Sequence, residues 1–237
     1  MTADEVLSKG VKTPLTENPR GLQLNRIYNM DCLEGMKQMD NKSIDLVLTD
    51  PPYGIGEAAG KNKTRDGLTQ ATDYGDLDWD DAPPTKEYFN EIFRISKNQI
   101  IFGGNFFELP PSPCWIVWDK DNSGDFADAE LAWTSFKSAV RIFKWRWNGM
   151  LQEDMAHKEE RIHPTQKPVP LMRWILKKYS SEGQIICDPF FGSASSLIAA
   201  IQLNRQFVGF EKEKIYFDAA EKRIKKAQEQ GKIEAWF

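Results

Sequence analysis

Residues 43–50, SIDLVLTD, form an almost unbroken aliphatic and β-branched run that stops dead at Pro51-Pro52. A strand with no polar alternation has both faces buried, and that burial requires helices on each side of a parallel sheet. Two successive prolines cannot continue a hydrogen-bonded ladder, so the strand must end there. The remaining chain agrees with this reading. Residues 22–31 alternate polar and apolar and read as a strand ending at Asp31, and further strand-like runs recur at 98–105, 114–120, 129–136, 184–190 and 205–211. Helical periodicity separates several of them, over 32–40, 85–96, 169–180, 195–203 and 212–230. Strands alternating with helices predict an α/β fold with a mostly parallel, doubly wound sheet. Thr85 is expected to cap the second helix.

With 237 residues the chain suffices for one sizeable core. The expected organisation is a flexible tail over 1–21 and a single domain over 22–237. Within that domain, 54–84 is expected to be a mobile loop rich in Gly, Lys, Asp, Thr and Pro. Three well-separated cysteines and two histidines, His157 and His163, argue against a disulfide framework or a zinc site, and no metal is expected. The first twenty residues lack the apolar stretch of a signal peptide, which predicts a cytoplasmic protein. A net charge of −4 gives no global mark of nucleic-acid binding, so any such surface must be local. The sequence GEAAGKN (56–62) fails as a phosphate loop, because its glycine spacing is wrong and Asn62 stands where Ser or Thr is required.

The sharpest chemistry lies in Thr49-Asp50-Pro51-Pro52-Tyr53-Gly54. The prolines stiffen the backbone and present a carboxylate, carbonyls and an aromatic ring without freedom to relax. An exocyclic base amine is a poor nucleophile because its lone pair is delocalised into the ring. Acceptors for both its hydrogens draw the nitrogen toward a tetrahedral, nucleophilic shape. An aromatic ring holds an extruded base by stacking, worth roughly 1–3 kcal/mol. The bland alternative is a proline-terminated strand with a capping aspartate and a surface tyrosine.

TDPPYG resembles motif IV of the DNA amino-methyltransferases, DPFFGSASS (188–196) resembles their cofactor-binding motif I, and HPTQKP (163–168) resembles motif X. With motif IV first and motifs X and I late, the order is similar to that of the β group, a circular permutation of the methyltransferase Rossmann fold. The resemblance covers roughly residues 22–55 and 160–225. It implies a site-specific enzyme carrying a methyl group from S-adenosylmethionine to a flipped-out base in double-stranded DNA. Asp50, Pro51, Pro52 and Tyr53 would be the catalytic set. Asp in the first motif position favours adenine N6. Cytosine N4, an RNA or protein amide nitrogen, and a catalytically silent DNA-binding module of the same fold are the alternatives.

For the cofactor, the resemblance implies contacts from Asp31 and Cys32 to the adenine ring, Glu211 to the ribose hydroxyls, and Asp188, Phe190, Gly192, Ser193 and Ser195 around the glycine turn. Asp50, His163, Thr165 and Lys167 would border the methionine end. Physically, a helix opening at Ser195 or Ser196 offers free N–H groups to a carboxylate. The carboxylates at positions 31, 188 and 211 are equally compatible with ordinary strand-end caps. The family's second glycine is replaced here by Ala194; if that backbone needs a positive φ, alanine adds strain of about 1 kcal/mol.

Residues 137–147 carry Lys137, Arg141, Lys144 and Arg146 interleaved with Phe143, Trp145 and Trp147. By position they fall in a recognition region expected at about 121–160, and the four cations are the expected DNA contacts. An edge hairpin with outward charges is the alternative. Relatives often form homodimers, and the apolar tail Ala235-Trp236-Phe237 is suited either to a dimer or to the core. The length leaves no room for a nuclease domain, so any restriction activity is expected on a separate chain.

Overall fold

A computed structural model describes residues 22–55, 80, 82–122, 127–148 and 151–234. The N-terminal tail, most of the 54–84 loop with Lys61, Lys63 and Arg65, and the last three residues lie outside them.

In chain order the strands are β1 (Arg26–Asn29), β2 (Ile44–Thr49), β3 (Ser96–Phe102), β4 (Trp115–Asp119), β5 (Ala129–Thr134), β6 (Arg141–Lys144), β7 (Trp147–Asn148), β8 (Leu151–Gln152), β9 (Ile185–Asp188) and β10 (Gln206–Glu211). The helices are α1 (Cys32–Lys37), α2 (Lys86–Ile95), α3 (Val169–Tyr179), α4 (Ser195–Gln202) and α5 (Lys214–Glu234). Eight strands form one sheet in the order β1-β10-β9-β2-β3-β5-β4-β6, while β7 and β8 pair separately. The five strands from β1 to β3 run parallel. β5 reverses between β3 and β4, and β6 pairs parallel to β4. Thus β5 and β6, from the stretch expected to carry recognition, are members of the main sheet.

β2 is buried on both faces, as its composition predicts. Leu46 and Leu48 pack into the cluster covered by α3, α4 and α5. Val47 joins the opposite cluster with Met36 of α1 and Phe89, Ile92 and Ile95 of α2. Each such side chain contributes about 1.5–3 kcal/mol by leaving water. In α2 the spacing of Phe89, Ile92 and Ile95 keeps one face inward. Its N-cap Thr85, however, makes no side-chain capping bond, a correction to the sequence reading. Asp31 does cap α1, accepting from the Leu33 N–H at 2.8 Å.

β1 lies beside β10 at one edge of the sheet, so the first and last strands are neighbours. The chain runs outward from β9 to β10 on one side and from β2 to β3 on the other. The reversal between β9 and β2 is a topological switch point, where open α/β sheets leave a crevice at the strands' carboxyl ends. Among the described residues no helix is long and apolar enough to cross a membrane.

Candidate active site

Asp50 follows β2 and Asp188 ends β9, so both sides of the switch point carry a carboxylate. They line a cavity of about 1130 Å³ together with Asp31, Cys32, Tyr53, His163, Gly192 and Glu211. Pro51, Pro52, Thr165, Lys167, Phe190, Ser193, Ser195 and Ser196 also line it. The two motif-bearing corners, 138 residues apart in sequence, therefore open into one space (Asp50 to Asp188). Lys137, Arg141, Lys144 and Arg146 do not line it.

The Asp50 carboxylate is engaged at both oxygens. The Tyr53 hydroxyl donates to Oδ1 at 2.6 Å, and the Lys167 ammonium donates to Oδ2 at 2.5 Å. Burial pushes the pKa of this carboxyl above its usual range, opposed chiefly by Lys167. Loss of hydration likewise keeps the Tyr53 phenol protonated. The ring of Tyr53 rests against the backbone of Gly103, where an added Cβ would lie 2.2 Å from Cε1. Gly103 also has φ +66°, so no other residue fits without strain. Tyr53 stacks on Phe106 with ring centroids 4.8 Å apart and planes 15° from parallel. Phe106 itself is about half exposed, at 47%. The backbone N–H groups of Tyr53 and Gly54 both donate to Asp80 Oδ1, which fixes the corner from the far end of the loop.

The glycine turn is built differently. Asp188 accepts from the Thr49 hydroxyl at 2.7 Å, from the Ser196 hydroxyl and from the Phe190 N–H. Burial nevertheless pushes its carboxyl up to about 6. Glu211 accepts from the Gly192 N–H at 3.1 Å and the Glu213 N–H at 2.8 Å, and burial pushes it up to about 7. Gly192, with φ +47°, passes beside His163, and a Cβ there would sit 3.4 Å from the imidazole. His163 is buried against Tyr216 with ring centroids 4.2 Å apart. Desolvation, with Lys167 and Arg161 nearby, lowers it to about 3, so the ring is neutral. Its Nδ1 accepts from the Thr165 N–H. Ala194 stands at the N-cap of α4 with φ +61°, so the strain anticipated from sequence is present. Asp31 accepts from the Tyr88 hydroxyl at 2.9 Å, and the neighbouring Cys32 thiol is pushed up by burial, which leaves it inert.

Sequence reasoning missed three residues here. Glu130 of β5 lies with Oε2 3.1 Å from Lys167, and Lys120, just after β4, pairs with its other oxygen. The signal was available: a carboxylate inside the otherwise apolar run AELAW, and a lysine ending CWIVWDK. Phe106 gave no comparable signal, since an aromatic after a glycine turn reads as core. Lys167, which the resemblance puts with the cofactor, lines the cavity, and its ammonium contacts Asp50 and Glu130.

The basic stretch is partly neutralised. Asp121 pairs with both Lys144, at 2.6 Å, and Arg146. Lys137 and Arg141 are exposed and have no ion pair among the described residues.

The family described as DNA methylase matches residues 115–222, from β4 into α5. Type II methyltransferase M.HinfI of Haemophilus influenzae is 28% identical, over 85% of this chain and 68% of its own. TTHA0409 of Thermus thermophilus, solved with S-adenosyl-L-methionine, is 17% identical with a TM-score of 0.51, over 86% of this chain and 95% of that one. The PvuII DNA methyltransferase, cytosine-N4-specific, is 14% identical with a TM-score of 0.53, over 86% and 91%. The last two likenesses concern the fold alone. Over residues 115–222 the chain is thus similar to the DNA methylases, and the three segments that resemble motifs IV, X and I line one crevice.

Proposed function

We propose that this protein transfers a methyl group from S-adenosylmethionine to the exocyclic amine of a base turned out of double-stranded DNA, with adenine N6 as the acceptor. The observation that carries the reading is the shared cavity: the proline-locked corner and the glycine turn face one another across the switch point. At about 1130 Å³ it exceeds the roughly 300–1,000 Å³ of ordinary ligand pockets, in keeping with a cofactor and a base side by side.

The residues fit the cofactor by their chemistry. Glu211 ends β10 beside the Gly192 turn and retains lone pairs for a pair of ribose hydroxyls. Asp31, Cys32 and Phe190 border the space for the adenine ring, while His163, Thr165, Ser193 and Ser195 border the other end. When bound, S-adenosylmethionine supplies an activated methyl on a sulfonium leaving group. Asp50 and the Pro51 carbonyl accept the hydrogens of the target amine and turn its lone pair toward that methyl. Tyr53 holds the base by stacking; because Phe106 now stacks on that ring, the base takes the remaining face or displaces Phe106. Positioning therefore accounts for most of the catalysis. Turning out the base costs a few kcal/mol, which contacts to the duplex must offset. The region from the β5–β6 connection to β8, with Lys137 and Arg141 exposed on it, is assigned to that duplex.

Incubation with labelled S-adenosylmethionine and unmethylated DNA, followed by mass spectrometry of the nucleosides, tests the reading. N6-methyladenine is expected. N4-methylcytosine would replace the acceptor, and unlabelled DNA would leave a silent binding module.

A further inference from the structure

Four charges alternate behind the proline corner, each from a different element. Asp50 follows β2, Lys167 precedes α3, Glu130 lies on β5 and Lys120 follows β4. Lys167 is 5% exposed, and its ammonium reaches Asp50 Oδ2 at 2.5 Å and Glu130 Oε2 at 3.1 Å. Glu130 Oε2 is buried and has this ion pair but no well-aligned hydrogen bond. Lys120 pairs with the other oxygen of Glu130. Among the described residues, the remaining groups facing Asp50 are the Tyr53 hydroxyl and the like-charged Asp188 across the crevice.

Taken from water, a carboxyl favours its neutral form, which would put an O–H where the reaction needs an acceptor. An ammonium in contact opposes that preference. Lysine, however, is a flexible stem with three freely rotating donors, and it holds one geometry only where it is anchored. Glu130 is that anchor, and Lys120 compensates the charge of Glu130.

Resting on the methyl-transfer reading above, we infer that Lys167, anchored by Glu130 and Lys120, is a positioning residue that holds the Asp50 carboxylate charged and aimed at the target amine, and is not a ligand of the cofactor. Its effect is exerted on Asp50 and not on cofactor affinity.

The test uses the full chain and three variants, Lys167→Met, Lys167→Arg and Glu130→Gln. The readouts are kcat against pH on DNA and the Kd for S-adenosylmethionine by calorimetry. Lys167→Met should lower kcat roughly 100-fold, the scale of removing a placed charge. It should also move the acid limb of kcat upward by about one pH unit or more, because the charge opposing the desolvation of Asp50 is gone. Its cofactor Kd should stay within about threefold, the ordinary scatter of a distant change. Lys167→Arg should return the acid limb toward the wild-type position. Glu130→Gln should lower kcat about tenfold with Kd unchanged, because Lys167 loses its anchor, while the acid limb should not move upward, because the like charge of Glu130 raises the Asp50 carboxyl. A Lys167→Met protein whose Kd rises tenfold or more while its pH profile stays in place, about 1.4 kcal/mol of lost binding, overturns the assignment. Should Lys167→Met fail to fold, Glu130→Gln decides, and a wild-type kcat there overturns it. A wild-type protein that labels no DNA instead overturns the methyl-transfer reading; the calorimetry of Lys167→Met then still tests whether Lys167 binds cofactor.

Discussion

Asp50 and Gly103 show how narrowly the chemistry depends on single side chains. Removing the carboxylate with Asp50→Ala should abolish methyl transfer, while calorimetry should find cofactor affinity within a few-fold of wild type, because the residues proposed to hold the cofactor's ribose, Glu211 at the end of β10 and Gly192 in the turn after β9, lie on other elements. Full activity in that variant would remove Asp50 from the mechanism. At Gly103 a methyl group would sit 2.2 Å from the Tyr53 ring, on a backbone at φ +66°. Gly103→Ala should therefore displace the ring and lower kcat by more than tenfold. It should also lower stability by about 1–3 kcal/mol from strain and overpacking, read from denaturant midpoints. Ala194 is the opposite case, a non-glycine already held at φ +61° and fully buried. Glycine there would relieve the strain but remove a packed methyl and loosen the unfolded chain, so the net change should stay near zero.

Among the elements, β6 and the residues flanking it carry the four cations proposed to contact DNA. All four are exposed, but Lys144 and Arg146 are tied to Asp121, whereas Lys137 and Arg141 have no ion pair among the described residues. Charges already paired release fewer counterions when they meet phosphate. In binding measured across salt concentrations, Lys137→Ala and Arg141→Ala should each reduce the slope of log Kd on log salt by about one. Lys144→Ala and Arg146→Ala should reduce it less. Equal slopes for all four would show that the Asp121 pairs break on binding.

At the scale of the whole molecule, the crevice buries carboxyls that the strands deliver to it. Glu211, pushed up to about 7, and Asp188, at about 6, hold their protons more tightly folded than unfolded. Their contribution to stability is thus complete below the unfolded values, near pH 4, and is lost as pH rises through about 6 and then about 7. Cofactor binding works the other way, since Glu211 must be ionised to accept two hydroxyls. The Kd for S-adenosylmethionine should rise about tenfold from pH 8 to pH 6, following the fraction of Glu211 that is charged. A flat profile would detach Glu211 from the ribose.

The fold class and the location of the site were legible in the sequence, because burial on both faces dictates composition and proline dictates where a strand stops. SIDLVLTD cannot be anything but a central strand, and Asp50, Asp188 and Glu211 must then share its carboxyl end. The partners of those groups were not legible. Lys167 meets Asp50 and Glu130, and Glu130 meets Lys120, only because β4, β5 and the segment before α3 converge there, over separations of up to 117 residues. Local pattern records which way a side chain faces, whereas only the packed sheet decides which charge it meets on the other side.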